Sequence, residues 1–212
     1  MECSGVLFDL DGVLIDSTPC VTRVWRQWAI EKGLDPDHVV HVAHGRRSIE
    51  TIAMVAPELD AEAENHEVER RELADTEGLT VFPGALELLR SLPQGKWTIV
   101  TSGTRPLATL RLQVAGLPVP ERMVTADDVT MGKPNPEPYL KGAEMLGLSP
   151  DTCVVFEDAP SGLLAAKRAG CRSFGIPTTY PREELGDATV ILDALRQLAV
   201  KSAGKAAILL EW

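Results

Sequence analysis

The sequence predicts an α/β fold, a doubly wound parallel sheet that carries an inserted α-helical domain. Short apolar runs alternate with helical patterns along the chain, which is typical of a parallel sheet with helices on both faces. Residues 16–81 hold helical patterns only, and acidic pairs accompany two of the predicted strands. We therefore assign residues 1–15 and 82–212 to the sheet domain and residues 16–81 to the helical domain.

Short apolar runs bounded by turn residues predict the strands of the sheet. They cover residues 6–8, 97–100, 119–124, 152–156 and 172–176. The tail 201–212 has an apolar run at 206–210 and fits no single element.

Helical periodicity, proline and glycine predict the helices and their ends. In the insert they run from Ser17 towards Gly33 and over 37–43, 49–55 and 60–76; in the sheet domain they cover 85–92, 106–115, 139–146, 159–169 and 192–198. The segment 60–76 is strongly charged, and we interpret it as a solvated helix whose charges need no functional explanation.

Composition narrows the class of partner. The net charge is −10 and the isoelectric point is near 4.9, which argues against nucleic acid or an anionic membrane as the main partner. The four cysteines form no CxxC pair, so we expect reduced thiols and a cytoplasmic protein. No apolar stretch approaches the roughly 20 residues that cross a bilayer, and no signal peptide is expected.

The chain begins with a buried strand that ends in two carboxylates. Asp9 and Asp11 are two positions apart, so on an extended chain both side chains point to the same side. Like charges this close repel one another unless a cation or a proton lies between them, and grouped oxygen ligands suggest Mg²⁺. Gly12 lets the backbone turn sharply directly afterwards.

Polar residues also follow other predicted strands. Thr101, Ser102 and Gly103 end one strand, Glu157 and Asp158 end another, and Lys133 lies in a loop after a third. In a parallel sheet, ligands bind beyond the carboxyl ends of the strands. The sequence therefore predicts that these residues meet Asp9 at one edge of the sheet.

These segments together resemble the four motifs of the haloacid dehalogenase superfamily. They are residues 9–14 (DLDGVL), 100–103 (VTSG), 132–134 (GKP) and 156–158 (FED), the last followed by Ser161 and Gly162. Their order and spacing fit across almost the whole chain. The resemblance implies a Rossmann-like core, an inserted helical cap and Mg²⁺ as cofactor.

The resemblance also implies roles for the residues of these motifs. Asp9 resembles the nucleophile that becomes an aspartyl-phosphate. Asp11 resembles the general acid/base, and its backbone carbonyl a metal ligand. Lys133 resembles the lysine that steadies Asp9 and the phosphoryl charge.

The remaining motif residues would hold the phosphoryl group or the metal. Thr101 resembles the hydroxyl that binds the phosphoryl group, with Ser102 and Gly103 beside it. Asp158 resembles a Mg²⁺ ligand, and Glu157 a second acidic contributor. These roles are what the resemblance implies.

The insert contains a loop, residues 44–47 (HGRR), that looks like the cap loop of sugar- and polyol-phosphate phosphatases. Arg46 and Arg47 are therefore candidate substrate contacts. The alternative is that both are surface charges. His44 is interpreted as structural.

The function that the resemblance implies is a Mg²⁺-dependent phosphatase of a small phosphorylated metabolite, such as a sugar or polyol phosphate, working as a monomer or weak homo-oligomer. The alternative is a phosphomutase like β-phosphoglucomutase, which returns the phosphoryl group to a sugar. A dehalogenase is disfavoured because Asp11 is present, and a phosphonate hydrolase because Lys32 is the one lysine between Ile15 and Pro83 and shows no sign of burial. A non-catalytic binder would have lost one of the core groups.

Overall fold

The computed structural model describes residues 1–203 and 207–212. Its strands are β1 (Glu2–Cys3), β2 (Gly5–Phe8), β3 (Ile15–Asp16), β4 (Thr80–Val81), β5 (Trp97–Ile99), β6 (Cys153–Glu157), β7 (Arg172–Gly175), β8 (Val190–Ile191), β9 (Ala199–Ala203) and β10 (Ile208–Glu211). Its α-helices are α1 (Thr18–Glu31), α2 (Pro36–Ala43), α3 (Ser48–Val55), α4 (Ala61–Ala74), α5 (Ala85–Ser91), α6 (Arg105–Val114), α7 (Glu137–Met145) and α8 (Pro160–Ala169).

The central element is a parallel sheet of five strands in the order β5-β2-β6-β7-β8. Two small antiparallel sheets accompany it, one in the order β1-β10-β9 and one formed by β3 and β4. The parallel sheet with helices on both faces confirms the predicted α/β, Rossmann-like fold.

Alternating side chains of the central strands pack on opposite faces of the sheet, as the two-residue period of a strand requires. Val6 and Phe8 of β2 belong to the core shared with α5 and α6, whereas Leu7 belongs to the core shared with α7 and α8. On the first face, Phe8, Phe156 and Phe174 form a stack with ring centroids 5.0 and 4.9 Å apart. The apolar runs read from the sequence are thus buried on both sides.

The helices α1–α4, here called the helical layer, lie between β3 and β4 in the chain and have a core of their own. Trp25 and Trp28 of α1 meet edge to face, with ring centroids 5.6 Å apart. Asp35 and Asp60 begin α2 and α4, since each side chain accepts hydrogen bonds from backbone N–H groups of the first turn.

Two sequence predictions need correction. Within residues 119–124 only Val124 pairs, as a single parallel bridge with Val100, because Pro118 and Pro120 lack an N–H donor. The helix predicted at 192–198 is a single 3₁₀ turn, Leu195–Gln197. Its leucines recur every three residues, which suits the 3₁₀ period.

The tail forms β9 and β10, which pair with each other and with β1 at the opposite end of the chain. The start of its apolar run, Ala206, lies outside the described residues. All four cysteines are buried and free. Within residues 1–203 and 207–212, we find no helix with the length and apolar character that crossing a membrane requires.

The close approach of α7 to the sheet generates a stability prediction. A Cβ atom on Gly142 would lie 2.8 Å from Val100 Cγ2 and 3.2 Å from Leu7 Cδ2. We expect Gly142→Ala to lower the free energy of unfolding by about 1–3 kcal/mol through overpacking. In an open helix the same change would raise it by roughly 0.5–1 kcal/mol.

Urea denaturation measures this difference. Gly186→Ala is the matched control, because it is exposed and its added Cβ meets nothing within 4 Å. An unchanged or higher free energy of unfolding for Gly142→Ala would contradict the packing argument.

Candidate active site

The site forms where the carboxyl ends of three neighbouring strands meet. Asp9 follows β2, Thr101 follows β5 at a distance of two residues, and Glu157 ends β6. The Asp9 N–H donates to the Phe156 carbonyl at 2.9 Å, which extends the pairing of β2 and β6 up to the site. The sheet order therefore brings these side chains together, as predicted for a parallel sheet.

Lys133 is the centre of the buried part of the site. Its Nζ donates to Asp9 Oδ1 at 2.6 Å, to Glu157 Oε1 at 2.6 Å and to the Val100 carbonyl at 3.1 Å. An ammonium group has three donors, and all three are used. The side chain is only 1% exposed, so these bonds fix its position.

Both oxygens of the Glu157 carboxylate have donors. Oε1 also accepts from the Tyr139 hydroxyl at 2.6 Å, and Oε2 accepts from the backbone N–H groups of Asp158 and Ala159 at 3.1 and 3.3 Å. This geometry suits a group that holds Lys133. The predicted role of Glu157 as a metal ligand stays a prediction.

Burial and crowding change the ionisation of the site. Burial raises the pKa of Asp9 to about 7, although Lys133 favours its charged form. Burial, and then Glu157 and Asp9, raise the pKa of Asp158 well above its usual value. Burial alone would lower the pKa of Lys133, but the Asp9 and Glu157 carboxylates raise it above its usual value.

The donor set fits a divalent cation. Carboxylate oxygens of Asp9, Glu157 and Asp158 lie within 4.8 Å of one another, and Lys133 pairs with the first two. Asp158 Oδ1 is buried without a hydrogen-bond partner among the described residues, and so is Asp11 Oδ1. A hard cation would satisfy such oxygens and lower the pKa of buried carboxyl groups.

Gly12 allows the first loop to approach Asp158 closely. Its φ is +83°, and a Cβ there would lie 1.9 Å from Asp158 Oδ2. The Thr178 hydroxyl donates to the Gly12 carbonyl, which ties this loop to the segment after β7. Only glycine both adopts this φ readily and leaves the space.

A cavity of about 140 Å³ lies between this edge of the sheet and the helical layer. Most of the predicted site residues line it: Asp9, Asp11, Arg46, Arg47, Thr101, Ser102 and Gly103. Lys133, Glu157 and Asp158 are buried, and Lys133 contacts Asp9 directly. The structure thus brings together the groups named from the sequence.

The predicted phosphate-binding residues differ in what they contact. Thr101 Oγ1 accepts a hydrogen bond from the Gly103 N–H at 3.1 Å. This bond uses the hydroxyl oxygen of Thr101 as an acceptor and does not use its hydrogen. Ser102 Oγ donates to the Gly45 carbonyl at 3.2 Å and so connects the sheet edge to the helical layer.

The two cap-loop arginines also differ. Arg47 Nη1 donates to the Thr130 carbonyl at 2.9 Å and lies 3.4 Å from Glu50 Oε1. Arg46 makes no side-chain hydrogen bond or ion pair with the residues that the structure describes. Both arginines line the cavity, and Arg46 is the one whose charge is available there.

Sequence reasoning missed Arg111 of α6. This guanidinium is 5% exposed, and it joins Asp11 Oδ2 at 2.8 Å to Glu72 Oε1 at 3.3 Å. Its two partners are far apart in the sequence and no motif contains it, so the sequence carries no signal for it.

The interpretation of α4 as a wholly solvated helix is wrong for one of its faces. Asn65, Glu69 and Glu72 line the cavity. Their spacing of four and three residues places them on one side of a helix. The sequence shows this spacing, but it does not show what this side of the helix contacts.

Known proteins resemble this chain over most of its length. A model of haloacid dehalogenase-like hydrolases matches residues 3–170. Hexitol phosphatase A of Escherichia coli (strain K12) is 43% identical over 205 residues, 94% of this chain and 95% of the relative. Glycerol-1-phosphate phosphohydrolase 1 of Saccharomyces cerevisiae is 42% identical over 193 residues, 85% of this chain and 77% of the relative.

Solved structures of other proteins are also similar to this chain over most of its length. A hydrolase from Pseudomonas syringae superposes with a TM-score of 0.81 at 28% identity, covering 91% of this chain and 94% of the other. A putative beta-phosphoglucomutase from Bacteroides vulgatus superposes with a TM-score of 0.75 at 29% identity, covering 91% and 84%. With the family match spanning residues 3–170, the chain belongs to the haloacid dehalogenase-like hydrolases.

Proposed function

We propose that the protein is a Mg²⁺-dependent phosphatase that hydrolyses a small phosphorylated metabolite, a sugar or polyol phosphate, through an aspartyl-phosphate on Asp9. The supporting observation is that the two carboxylate oxygens of Asp9 have different partners at the cavity. Its Oδ1 is held by Lys133 at 2.6 Å, whereas Oδ2 accepts no hydrogen bond from the described residues. Oδ2 is therefore the candidate attacking oxygen.

In the first step, a bond forms between Asp9 Oδ2 and phosphorus while the ester P–O bond breaks. Asp11, which lines the same cavity, donates a proton to the leaving oxygen. In the second step, Asp11 takes a proton from an attacking water, the Asp9–phosphorus bond breaks and inorganic phosphate is released. A covalent intermediate divides a difficult displacement into two easier ones.

Fixed charges and donors make this attack feasible. Lys133 offsets the negative charge that Asp9 and the phosphoryl group bring together, and the Thr101 hydroxyl and Gly103 line the cavity beside Asp9. The residues that would hold Mg²⁺ are Asp9, Asp158 and the backbone carbonyl of Asp11, with Glu157 as a further candidate. When bound, Mg²⁺ supplies positive charge that stabilises the transferring phosphoryl group.

The proposed substrate class takes support from the relatives. One is named a hexitol phosphatase and another a glycerol-1-phosphate phosphohydrolase, at 43% and 42% identity. We also propose that the helical layer is the cap that covers the substrate, with the domain boundaries at 16–81 still a prediction. The cytoplasmic location and a monomeric or weakly associated state stay predictions as well.

A phosphomutase is the second candidate. The structural similarity to a putative beta-phosphoglucomutase favours it, and Arg46 offers a charge to a second phosphate. Arg47 is already engaged by Thr130 and Glu50. For a phosphonate hydrolase, Lys32 would have to reach the substrate, but it pairs with Glu64 and is absent from the cavity wall.

Phosphate release from a panel of phosphorylated metabolites tests the proposed function. We expect Mg²⁺-dependent release from some sugar or polyol phosphates, abolished by chelator. Asp9→Asn should lower kcat by at least about 1,000-fold, because the nucleophile is lost. The control is Asp193→Asn, an exposed carboxylate outside the cavity.

The same assay separates the two candidates. Isomerisation of a sugar 1-phosphate that requires an added bisphosphate, without phosphate release, would replace the phosphatase by the mutase. Full activity of Asp9→Asn would reject the aspartyl-phosphate in both.

The excess of buried carboxylates generates a second prediction, on stability and Mg²⁺. In chelator, Asp158→Asn should raise Tm by about 2–6 °C, because it removes a buried carboxyl group whose charged form is disfavoured by burial and by Glu157 and Asp9. Mg²⁺ at about 100 times its Kd should stabilise the wild type by about 2.7 kcal/mol. The variant should lose most of that shift.

Thermal unfolding with and without Mg²⁺ measures both effects. Glu121→Gln, an exposed carboxylate, should behave as the wild type. An equal Mg²⁺ shift in Asp158→Asn and wild type would remove Asp158 from the proposed ligands.

A further inference from the structure

Helix α4 turns a polar face towards the cavity instead of towards solvent. Val68 packs in the core of the helical layer, while Asn65, Glu69 and Glu72 line the cavity. Glu72 is only 6% exposed. The polar side of an amphipathic helix ordinarily faces water, so this placement calls for polar partners inside the cavity.

Two of these side chains retain free hydrogen-bonding capacity. Glu72 is engaged by Arg111 at 3.3 Å. Glu69 Oε1 accepts from the Thr104 hydroxyl, but Oε2 accepts from no described residue. The Asn65 side chain makes no hydrogen bond with the described residues either. A half-buried carboxylate oxygen and an amide therefore face the cavity without protein partners.

The chemistry of this wall favours one kind of ligand. A carboxylate accepts hydrogen bonds and donates none, so it matches hydroxyl groups, and an amide both donates and accepts. The part of the wall formed by α4 and Asp127 repels anions: the charge of Arg111 is shared between Asp11 and Glu72, while Glu69 and Asp127 add negative charge. Arg46 lines the cavity from the loop between α2 and α3. Beside α4, a neutral chain of hydroxyl groups fits and a second anionic group does not.

We propose that Asn65 and Glu69 are specificity-determining residues, which bind the hydroxyl groups of an uncharged polyol chain and reject substrates with a second anionic group. This inference rests on the proposed function, since the phosphate end of the ligand is taken to lie at Asp9. In this proposal, side chains of α4 determine whether the site accepts neutral or acidic phosphomonoesters.

Three six-carbon esters isolate the contribution of the chain. Sorbitol 6-phosphate has hydroxyl groups and no second charge, 6-phosphogluconate replaces the terminal alcohol by a carboxylate, and n-hexyl phosphate has no hydroxyl group. Values of kcat/KM are measured with Mg²⁺ for the wild type, Glu69→Gln and Asn65→Ala. The control is Glu62→Gln, which makes the same charge change on an exposed position of α4.

We expect the wild type to prefer sorbitol 6-phosphate over both other esters. Glu69→Gln should raise the ratio of kcat/KM for 6-phosphogluconate to that for sorbitol 6-phosphate by about tenfold or more, mainly through KM. Asn65→Ala should lower the ratio for sorbitol 6-phosphate to n-hexyl phosphate by about tenfold. Glu62→Gln should keep both ratios.

Binding distinguishes failure of this inference from failure of the proposed function. Dissociation constants of the three esters are measured by calorimetry in the Asp9→Asn background, with and without Glu69→Gln or Asn65→Ala. Shifted binding ratios without any wild-type turnover would reject the phosphatase and keep the recognition. Turnover with ratios that neither substitution changes would keep the phosphatase and overturn the role of Asn65 and Glu69.

Discussion

The ammonium group of Lys133 is the interaction on which the rest of the site depends. It bonds Asp9 after β2, Glu157 at the end of β6 and the Val100 carbonyl after β5. One buried cation thus joins the three strands that lie side by side in the sheet. Without its charge, two carboxylates would remain buried and unpaired, which typically costs about 3–5 kcal/mol. The sheet order and the site therefore require each other.

The surrounding backbone is shaped to make room for this cluster. A Cβ on Gly162 would lie 1.8 Å from Glu157 Oε1, so the start of α8 passes directly beside that carboxylate. Gly12 has the same relation to Asp158. Glycine at both positions allows buried acidic groups to be packed densely around Lys133. Burial first, and then crowding, raise the pKa of Asp9 and Asp158. The charged forms of these carboxylates therefore destabilise the fold at the same place where the proposed reaction needs them.

Much of the fold and site was predictable because its signals are local. The strand at 6–8, the acidic pairs and the glycine-punctuated loops are contiguous in the sequence, and the parallel topology then brings them to one edge. The tail was not predictable, because β10 takes β1, at the other end of the chain, as its partner. The prediction of an α-helix over 192–198 was wrong because its three leucines fit the 3₁₀ period as well as the α-helical period.

The missed site residues share a physical reason. Arg111 and Glu72 are 39 residues apart and belong to different layers, so their pairing depends on how the layers pack. Periodicity reveals that α4 has a polar side, but an inward polar side and a solvated one give the same pattern. Tyr139 looks like any buried aromatic residue until its hydroxyl is placed beside Glu157.

The two layers meet through polar groups, in contrast with the apolar core inside each. The hydroxyl groups of Ser102 and Ser161 donate to the Gly45 carbonyl, and the Gly132 N–H donates to Glu50. Water can replace such bonds when the layers separate, so separation costs far less than exposing an apolar core. The cavity lies at this junction, so these bonds, the bond of Arg47 to the Thr130 carbonyl and the ion pair of Arg111 with Glu72 hold its two walls together. The bond between the Thr104 hydroxyl and Glu69 belongs to the same set, and it keeps the polar face of α4 at the wall of the cavity that Asp9 also lines.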